Sequence, residues 1–443
     1  MAASVFDSPL YSKLFPVGET GRLFSDTAAI RAMLLVEGAL AKAQGTLGII
    51  PETSAAAIHR ASLEIQIDPG ALATSTGQNG VCVPGLVDAF RAEMNAPEHA
   101  QFVHWGATSQ DIIDTALMLR LRQALALAES DLQALLSRLA DAAEKHGMTP
   151  MAARTYGQIA TPTTWGAVVS QWGMPLADAL SALPRLRQSS LFVSLSGAAG
   201  TSAALGTQAP ELRRALAEGL GLQDPERSWH TDRTPLLRIS DWLGHVSAIL
   251  GSMGSCLNGL AASGIDEVRF DNPGTSSTMP QKQNPIDATS LVALANQSSA
   301  LRAGMTSAAQ HQHQRDGTAW FTEWMLLPQI VLTTASALQI ATRLAGEMQP
   351  NVAQMQAGLE TGNGLIHAEA LSFALSKDMP RPAAQAATKA LCVQAVAEGT
   401  SLPALALAAY PDLPPSLFQS QLQLGQAATE ARTFVTRVRG IGK

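Results

Sequence analysis

The sequence predicts an all-α protein with a central bundle of five long helices. Apolar residues recur at helical spacing through long stretches such as 111–146, which contains neither proline nor glycine. The alternating pattern of a half-buried strand is almost absent. Hydrophobic residues make up 46% of the 443 residues and charged residues 15%, which predicts two or three globular domains with much buried or interfacial surface.

Three helical domains are predicted in chain order. Short helices separated by breaks predict an N-terminal domain over residues 1–109, in which Ser25 and Asp26 are suited to cap the longest helix. The long helices follow in a central domain, 110–350, and frequent prolines keep the helices short in a C-terminal domain, 351–443. The five long segments are predicted at residues 111–146, 163–191, 236–268, 286–310 and 320–348.

The long helices are apolar on more than one face. Leu119 and Leu127 lie off the main apolar stripe of the first one, so a single chain would expose apolar surface unless copies pack together. Two stretches without charge, 246–264 and 324–342, approach membrane length, but they contain serine, glycine, asparagine, glutamine and proline. We interpret them as buried bundle helices, with no membrane as partner.

Composition narrows the class of partner. The net charge of −6 argues against nucleic acid as a partner. Three widely spaced cysteines form no CxxC pair, which favours a reduced compartment without disulfides or a zinc site. The first residues lack the basic start and apolar run of a signal peptide, so we expect a cytoplasmic protein. No cofactor and no metal are predicted.

The chain is organised around a polar loop at residues 274–285, Gly-Thr-Ser-Ser-Thr-Met-Pro-Gln-Lys-Gln-Asn-Pro, flanked by long helices. Glycine, hydroxyl residues and two prolines predict an ordered or switchable loop. Lys282 is the only lysine between Lys145 and Lys377. One ammonium beside several hydroxyls and an amide suits a carboxylate-rich ligand, and it lowers the pKa of a nearby hydroxyl.

Further polar clusters precede or separate the long helices. Residues 104–111, His-Trp-Gly-Ala-Thr-Ser-Gln-Asp, place free backbone N–H groups and two hydroxyls at a helix N-terminus, where Thr108 or Ser109 is the expected cap. Residues 154–158, 229–233 and 311–316 add arginine, hydroxyl and histidine side chains. The His-x-His at 311–313 lacks a third metal ligand, so anion binding is favoured there. The candidate substrate-binding residues are His104, Thr108, Ser109, Thr155, Tyr156, Gln158, Arg233, His313 and Arg315.

The order of these clusters resembles the fumarase/aspartase superfamily over essentially the whole chain, and most closely its bacterial cycloisomerases. The resemblance implies a homotetramer with active sites shared between subunits, and chemistry that makes or breaks a bond β to a carboxylate. For the cycloisomerases it implies lactone formation from a diene tricarboxylate during catabolism of aromatic compounds. It also implies catalytic roles for Ser276 as acid or base and for Lys282 and Asn284 in holding a carboxylate-stabilised carbanion.

Two departures bear on specificity. Thr275 stands where the signature usually has glycine, and Tyr156 stands where many members have histidine on the side of the leaving group. Amine and hydroxide leaving groups benefit from an acid, whereas a carboxylate, with a pKa of about 4, leaves without protonation. The absence of that histidine therefore favours the cycloisomerase. A C–N or C–O lyase that releases fumarate, and a non-catalytic structural relative, remain the alternatives.

Overall fold

The computed structural model describes residues 4–441, and helices dominate it. The α-helices are α1 Gly18–Leu23, α2 Asp26–Thr46, α3 Glu52–Glu64, α4 Ala73–Asn79, α5 Val83–Met94, α6 Pro97–Ala100, α7 Ser109–Lys145, α8 Trp165–Ser190, α9 Ala209–Leu220, α10 Thr234–Leu260, α11 Ile286–Ala308, α12 Gly317–Glu347, α13 Val352–Glu360, α14 Ala368–Leu375, α15 Arg381–Glu398, α16 Leu402–Ala409 and α17 Ala427–Arg439. The strands are β1 Pro150–Thr155, β2 Gln158–Thr164, β3 Val268–Phe270 and β4 Met348–Pro350.

The predicted all-α fold with five long helices, now α7, α8, α10, α11 and α12, is confirmed. The largest difference concerns α10, which ends at Leu260 instead of continuing to residue 268. Gly264 and Asp266 have φ angles of 88° and 48°, and a right-handed helix does not continue through such residues. The chain then enters β3, a strand of three residues that the sequence pattern did not reveal.

The described chain forms two compact units. The first contains the chain up to Asp131, then 179–248 and 293–339, and the second contains 132–178, 249–292 and the chain from Ile340 onward. Each of the five long helices is divided once between the two units. The division into domains at 1–109, 110–350 and 351–443 stays a prediction.

In the first unit, α2 packs against α3 and α9 through an apolar face. Leu34, Val36 and Leu40 of α2 are each only 1% exposed. The hydroxyl of Ser25 accepts a hydrogen bond from the backbone N–H of Ala28 at 3.3 Å, which confirms the predicted cap. Such a cap contributes about 1 kcal/mol.

In the second unit, β1 and β2 form an antiparallel hairpin where the sequence suggested only a loop. The two turn residues, Tyr156 and Gly157, have φ angles of 52° and 75°. Positive φ at both central positions is typical of the mirror-image turn that matches the twist of a hairpin. Strand β3 pairs with β4, so that Phe270 lies opposite Met348 at the end of the ladder that leads into residues 274–285.

Within the described residues, one helix, α12, has the length and apolar character needed to cross a membrane. In its most apolar window, 67% of the residues are buried inside the protein. Ile330, Ala337 and Ile340 are each 0% exposed. Helix α12 therefore has the character of an interior helix, in agreement with the interpretation of the uncharged stretch 324–342.

Packing in the second unit generates a stability prediction. A Cβ atom at Gly173 of α8 would lie 2.1 Å from Cζ of Phe434, a fully buried ring of α17. We expect Gly173→Ala to lower the free energy of unfolding by about 1–3 kcal/mol, because the ring has to shift. Gly259→Ala in α10 is the matched control, since nothing lies within 4 Å of a Cβ there. Equal urea unfolding midpoints for the two variants would contradict this account.

Candidate active site

The carboxylate of Asp111, near the start of α7, is buried at 0% exposure in the first unit. It accepts hydrogen bonds from five groups: the backbone N–H of Thr108 at 3.1 Å, Ser196 at 2.9 Å and Gly197 at 2.9 Å, Ser194 Oγ at 3.0 Å, and His230 Nε2 at 2.8 Å. Helix α7 begins at Ser109, directly after Thr108. Asp111 therefore acts as the acidic partner of a helix cap and also fixes a distant loop and a histidine.

Gln110 extends this network to Arg315. Its side-chain nitrogen donates to the carbonyl of His230 at 2.9 Å, and its Oε1 accepts from Arg315 Nε at 2.8 Å. Arg315 also donates to the carbonyl of Ala198 at 3.2 Å and to Thr108 Oγ1 at 3.4 Å. These acceptors are all neutral, so the positive charge of Arg315 stays available for an anion.

The first unit thus brings together several predicted carboxylate ligands. Arg315 and His313 line one cavity of about 500 Å³ beside the first turn of α12. His313 is exposed and has a φ of 54°, while Thr108 and Ser109 are half-buried. Asp316 belongs to the same cavity, but its carboxylate accepts backbone hydrogen bonds from Gln312, Thr318 and Ala319 and caps α12. Those bonds hold the pKa of Asp316 below its ordinary value.

His104 is paired with a carboxylate that the sequence did not reveal. Its Nδ1 lies 2.7 Å from Oε1 of Glu37, which is 1% exposed on α2. Burial alone lowers the pKa of His104, but the hydrogen bond and the negative charge of Glu37 outweigh burial, so that this pKa lies above its ordinary value. His104 has a φ of 65°, a conformation that is uncommon for this residue type.

Arg233 occupies a different environment from the one expected for a substrate ligand. Its side chain is 1% exposed and donates to both oxygens of Asp114, at 2.7 and 3.1 Å, and both oxygens of Glu323, each at 2.8 Å. Its guanidinium carbon lies 4.8 Å from the ring centroid of Trp229. Two carboxylates compensate the charge of Arg233, which favours an internal role over contact with substrate. Its assignment to substrate binding stays a prediction.

In the second unit, residues 274–285 form a loop closed by paired backbone hydrogen bonds. The N–H of Gly274 donates to the carbonyl of Asn284 at 2.9 Å, and the reverse bond measures 2.8 Å. Inside this closure the Oγ of Ser276 accepts hydrogen bonds from the backbone N–H of Thr278 at 3.3 Å and of Met279 at 3.1 Å. Donors aimed at a hydroxyl oxygen favour its deprotonated form. Lys282 is exposed in the same loop.

Ion pairs anchor both sides of this loop, which we call the signature loop. On the N-terminal side, Arg154 binds Glu267 through two hydrogen bonds of 2.7 and 2.9 Å, and Glu267 directly precedes β3. On the C-terminal side, Asp287 in the first turn of α11 receives two hydrogen bonds from Arg343, at 2.7 and 2.8 Å. The residues between the anchors are largely exposed, with Ser276 half-buried. The loop is therefore held at its ends and open along its length.

The same Arg154–Glu267 pair holds the β1–β2 hairpin. Thr155, Tyr156 and Gln158 lie at the tip of that hairpin and are exposed, Tyr156 completely so.

Within each unit the structure thus groups candidate residues: Thr108 with Arg315 in the first, and Ser276 with Asn284 in the second. In residues 4–441, no set of three or more histidine, cysteine, aspartate or glutamate side chains is arranged to hold a metal ion.

Sequence reasoning missed the acidic partners of these sites. Glu37, Asp114, Glu267 and Glu323 lie in otherwise apolar or unremarkable stretches, and each forms an ion pair with a residue distant in sequence. All four are 0–1% exposed. The signal available in the sequence was an acidic residue with apolar residues on either side of it. Such a residue indicates a buried ion pair, because buried carboxylates are rare without a partner.

Comparisons with known proteins identify the family of this chain. A family model described as a lyase matches residues 18–298. The chain belongs to this family, the fumarase/aspartase superfamily that its motifs resemble.

Among relatives, it is 38% identical to the 3-carboxy-cis,cis-muconate cycloisomerase of Pseudomonas aeruginosa, over 89% of this chain and 87% of the relative. It is 33% identical to the nitrosuccinate lyase of Streptomyces davaonensis, over 95% and 91% of the two chains. The solved structure of the 3-carboxy-cis,cis-muconate lactonizing enzyme from Pseudomonas putida superimposes with a TM-score of 0.90 at 34% identity, covering 98% of this chain and 99% of that one.

The Asp111 network predicts a large effect of a small change. Asp111→Asn keeps the shape but removes the charge and puts an amide in contact with several donors. We expect the free energy of unfolding to fall by about 3 kcal/mol or more. Asp131→Asn, on the same helix, is the control: burial raises the pKa of Asp131, so neutralising it costs little. Urea denaturation measures both, and equal effects would contradict the network's role.

The His104–Glu37 pair predicts a pH-dependent stability. The pKa of His104 is higher in the folded state than in the unfolded chain, where it is about 6.5. The stabilisation of the fold by the His104–Glu37 pair is therefore complete below about pH 6.5, and it is lost as pH rises through the raised pKa. The stability difference between wild type and Glu37→Gln should therefore shrink as pH rises through the raised pKa of His104. Thermal unfolding against pH measures this difference. A difference that is constant with pH, as expected for exposed Glu64→Gln, would exclude the coupling.

Proposed function

We propose that this chain is a 3-carboxy-cis,cis-muconate cycloisomerase, which interconverts that diene tricarboxylate and 4-carboxymuconolactone. Similarity to cycloisomerases over most of the chain supports the proposal. The observation that carries the chemistry is the environment of Ser276, whose Oγ accepts two backbone hydrogen bonds inside the signature loop. A serine hydroxyl is otherwise far too weak an acid to exchange protons with carbon.

In the direction of ring closure, one substrate carboxylate oxygen forms a bond to an alkene carbon. The electron pair of the double bond moves to the adjacent carbon, α to another carboxylate. Ser276 then donates its proton to that carbon and becomes an alkoxide. In reverse, the alkoxide removes the Cα proton, and the carbanion expels the ring carboxylate. The N–H groups of Thr278 and Met279 stabilise the alkoxide in both directions.

The carbanion places two negative charges on one carboxylate group, and this group needs fixed donors and cations. We assign Lys282 and Asn284 to it, because they lie in the same closed loop as Ser276. The remaining substrate carboxylates are assigned to the hydroxyl, amide and cationic side chains of the other clusters. These are Thr108, Ser109, Thr155, Gln158, His313 and Arg315.

Arg315 is the strongest of these carboxylate ligands on physical grounds. Its hydrogen bonds go to Gln110, Ala198 and Thr108, which fix its position without neutralising its charge. A fixed guanidinium recognises a planar carboxylate with little further loss of freedom. Arg233, by contrast, is not assigned to substrate in this mechanism because Asp114 and Glu323 compensate it.

We further propose that the enzyme works as a homotetramer in the cytoplasm, with active sites shared between subunits. Phe321 and Met325 of α12, one helical turn apart, are 43% and 66% exposed. A second copy that covers this apolar face would remove it from water. Sharing of sites between subunits also accounts for candidate residues that are scattered along one chain.

The fully exposed Tyr156 fits the chemistry of a carboxylate leaving group. Lactone opening expels a carboxylate, which needs no proton from an acid. Elimination of an amine or of water benefits from such an acid, and the side chain of Tyr156 is fully exposed to solvent, away from any partner within residues 4–441 that would hold it as one. The cycloisomerase is therefore favoured over a C–N or C–O lyase of the same family.

Turnover of 3-carboxy-cis,cis-muconate tests the proposal. We expect purified protein to consume the diene absorbance, and Ser276→Ala to reduce kcat by about 10³-fold or more while the fold is retained. Ser277→Ala is the matched control, since its exposed neighbouring hydroxyl is given no role. Equal rates for wild type and Ser276→Ala would remove the serine from the mechanism.

Two other outcomes would replace the proposed activity. Fumarate released from a panel of succinyl-amines, without loss of diene, would identify a C–N lyase. Absence of turnover with either substrate class would favour a non-catalytic structural relative.

A further inference from the structure

A partly enclosed cavity of about 290 Å³ lies in the first unit, bordered by α7, α12 and helices near the N-terminus. Much of its wall is apolar: Met33, Leu117 and Leu327 are buried, and the ring of Phe24 joins them. This volume is close to the lower limit of ligand pockets, roughly 300 Å³. The cavity therefore suits a small molecule. The residues that line it, all within the described chain, include none of the residues assigned to substrate.

Arg120 of α7 reaches this cavity with an uncompensated charge. Its Nε is buried without a hydrogen-bond partner, and no ion pair to Arg120 is found within residues 4–441. Its guanidinium carbon lies 5.6 Å from the centroid of the Phe24 ring, a modest compensation. Burial lowers the pKa of Arg120 to about 10, although Cys82 and Asp26 act in the opposite direction. A nearby anion would relieve this cost.

Trp324 and two acidic residues also line this cavity. Nε1 of Trp324 is buried and makes no hydrogen bond in the described chain. The buried carboxylate of the wall, Glu323, is already bonded by Arg233 through both oxygens. Asp26, the other acidic residue of the wall, is exposed and lies beyond ion-pair distance of Arg120. An arginine cation and an apolar wall thus border one small space.

We propose that this cavity is a binding site for a small monocarboxylate with an apolar body, such as an aromatic acid. Its carboxylate accepts hydrogen bonds from Arg120, and its ring packs against Phe24, Met33 and Leu117. A polycarboxylate substrate is excluded, because its additional charges would lie against the apolar wall without partners. This ligand class differs from that of the candidate active site.

Benzoate is the probe, and the full-length protein is titrated with it in a calorimeter. We expect benzoate to bind and to raise the Tm, because a ligand that binds only the folded state stabilises that state. Benzamide has the same shape without the charge, and we expect it to bind about tenfold more weakly or worse, since hydrogen bonds to charged groups are the stronger ones. Equal binding of the two would overturn the proposal.

Two variants locate the bound benzoate. Arg120→Met keeps the length of the side chain and removes its charge, and it should weaken benzoate binding by about tenfold or more. Because it also removes an uncompensated buried charge, its Tm without ligand should not fall. Arg315→Met, in the candidate active site, should leave benzoate binding unchanged.

Two results would overturn the site. Loss of benzoate binding in Arg315→Met together with normal binding in Arg120→Met would place benzoate in the candidate active site. Absence of benzoate binding to wild type, with a lowered Tm for Arg120→Met, would make Arg120 an internal partner of Asp26. Neither result bears on turnover of the tricarboxylate, so failure here is distinguishable from failure of the proposed function.

Discussion

The buried carboxylate of Asp111 is the interaction on which the first unit's site depends. A lone carboxylate in the interior costs several kcal/mol, and this one is stabilised by backbone N–H groups, a serine hydroxyl and His230. The same bonds connect the start of α7 to residues 194–197 and to residue 230. Thr108 and Gln110 lie within the three residues that precede Asp111, so fixing its position also fixes the residues that hold Arg315. A single charge therefore sets the geometry of the anion-binding cluster.

The second unit positions its reactive group by a different means. The signature loop is largely exposed, and its order comes from the Gly274–Asn284 closure and the ion pairs at each end. Few buried contacts and anchored ends are features of segments that open and close at low cost in free energy. Ser276 receives its donors from the backbone of the loop itself. Activation of the serine thus depends on the local conformation of a few residues.

The sequence was sufficient for features that depend on local patterns. The long helices and the Ser25 cap follow from periodicity and capping chemistry, the irregular polar segment at 274–285 follows from its glycine, hydroxyl and proline residues, and the motifs resembled the correct family. It was insufficient where partners are distant: Glu37 with His104 and Glu267 with Arg154 join residues that are 67 and 113 positions apart. The β1–β2 hairpin was missed because its signal is a Tyr156–Gly157 turn in a short polar segment. Position along a helix says nothing about which of several acids will meet an arginine.

The presence or absence of a carboxylate partner distinguishes structural from ligand-binding arginines in this acidic chain. Arg233 faces two buried carboxylates, so further interaction with an anion would leave one of those carboxylates short of its partner. Within residues 4–441, Arg315 is held by neutral oxygen atoms only and forms no ion pair. Among the described residues, Arg120 has neither an ion pair to a carboxylate nor a hydrogen bond to a neutral oxygen, and it lines an apolar cavity. A cation that is already paired with a carboxylate has a lower affinity for an added anion, so Arg233 belongs to the scaffold. Arg315 suits a polycarboxylate in an open, polar setting, and Arg120 suits an anion that has an apolar surface of its own.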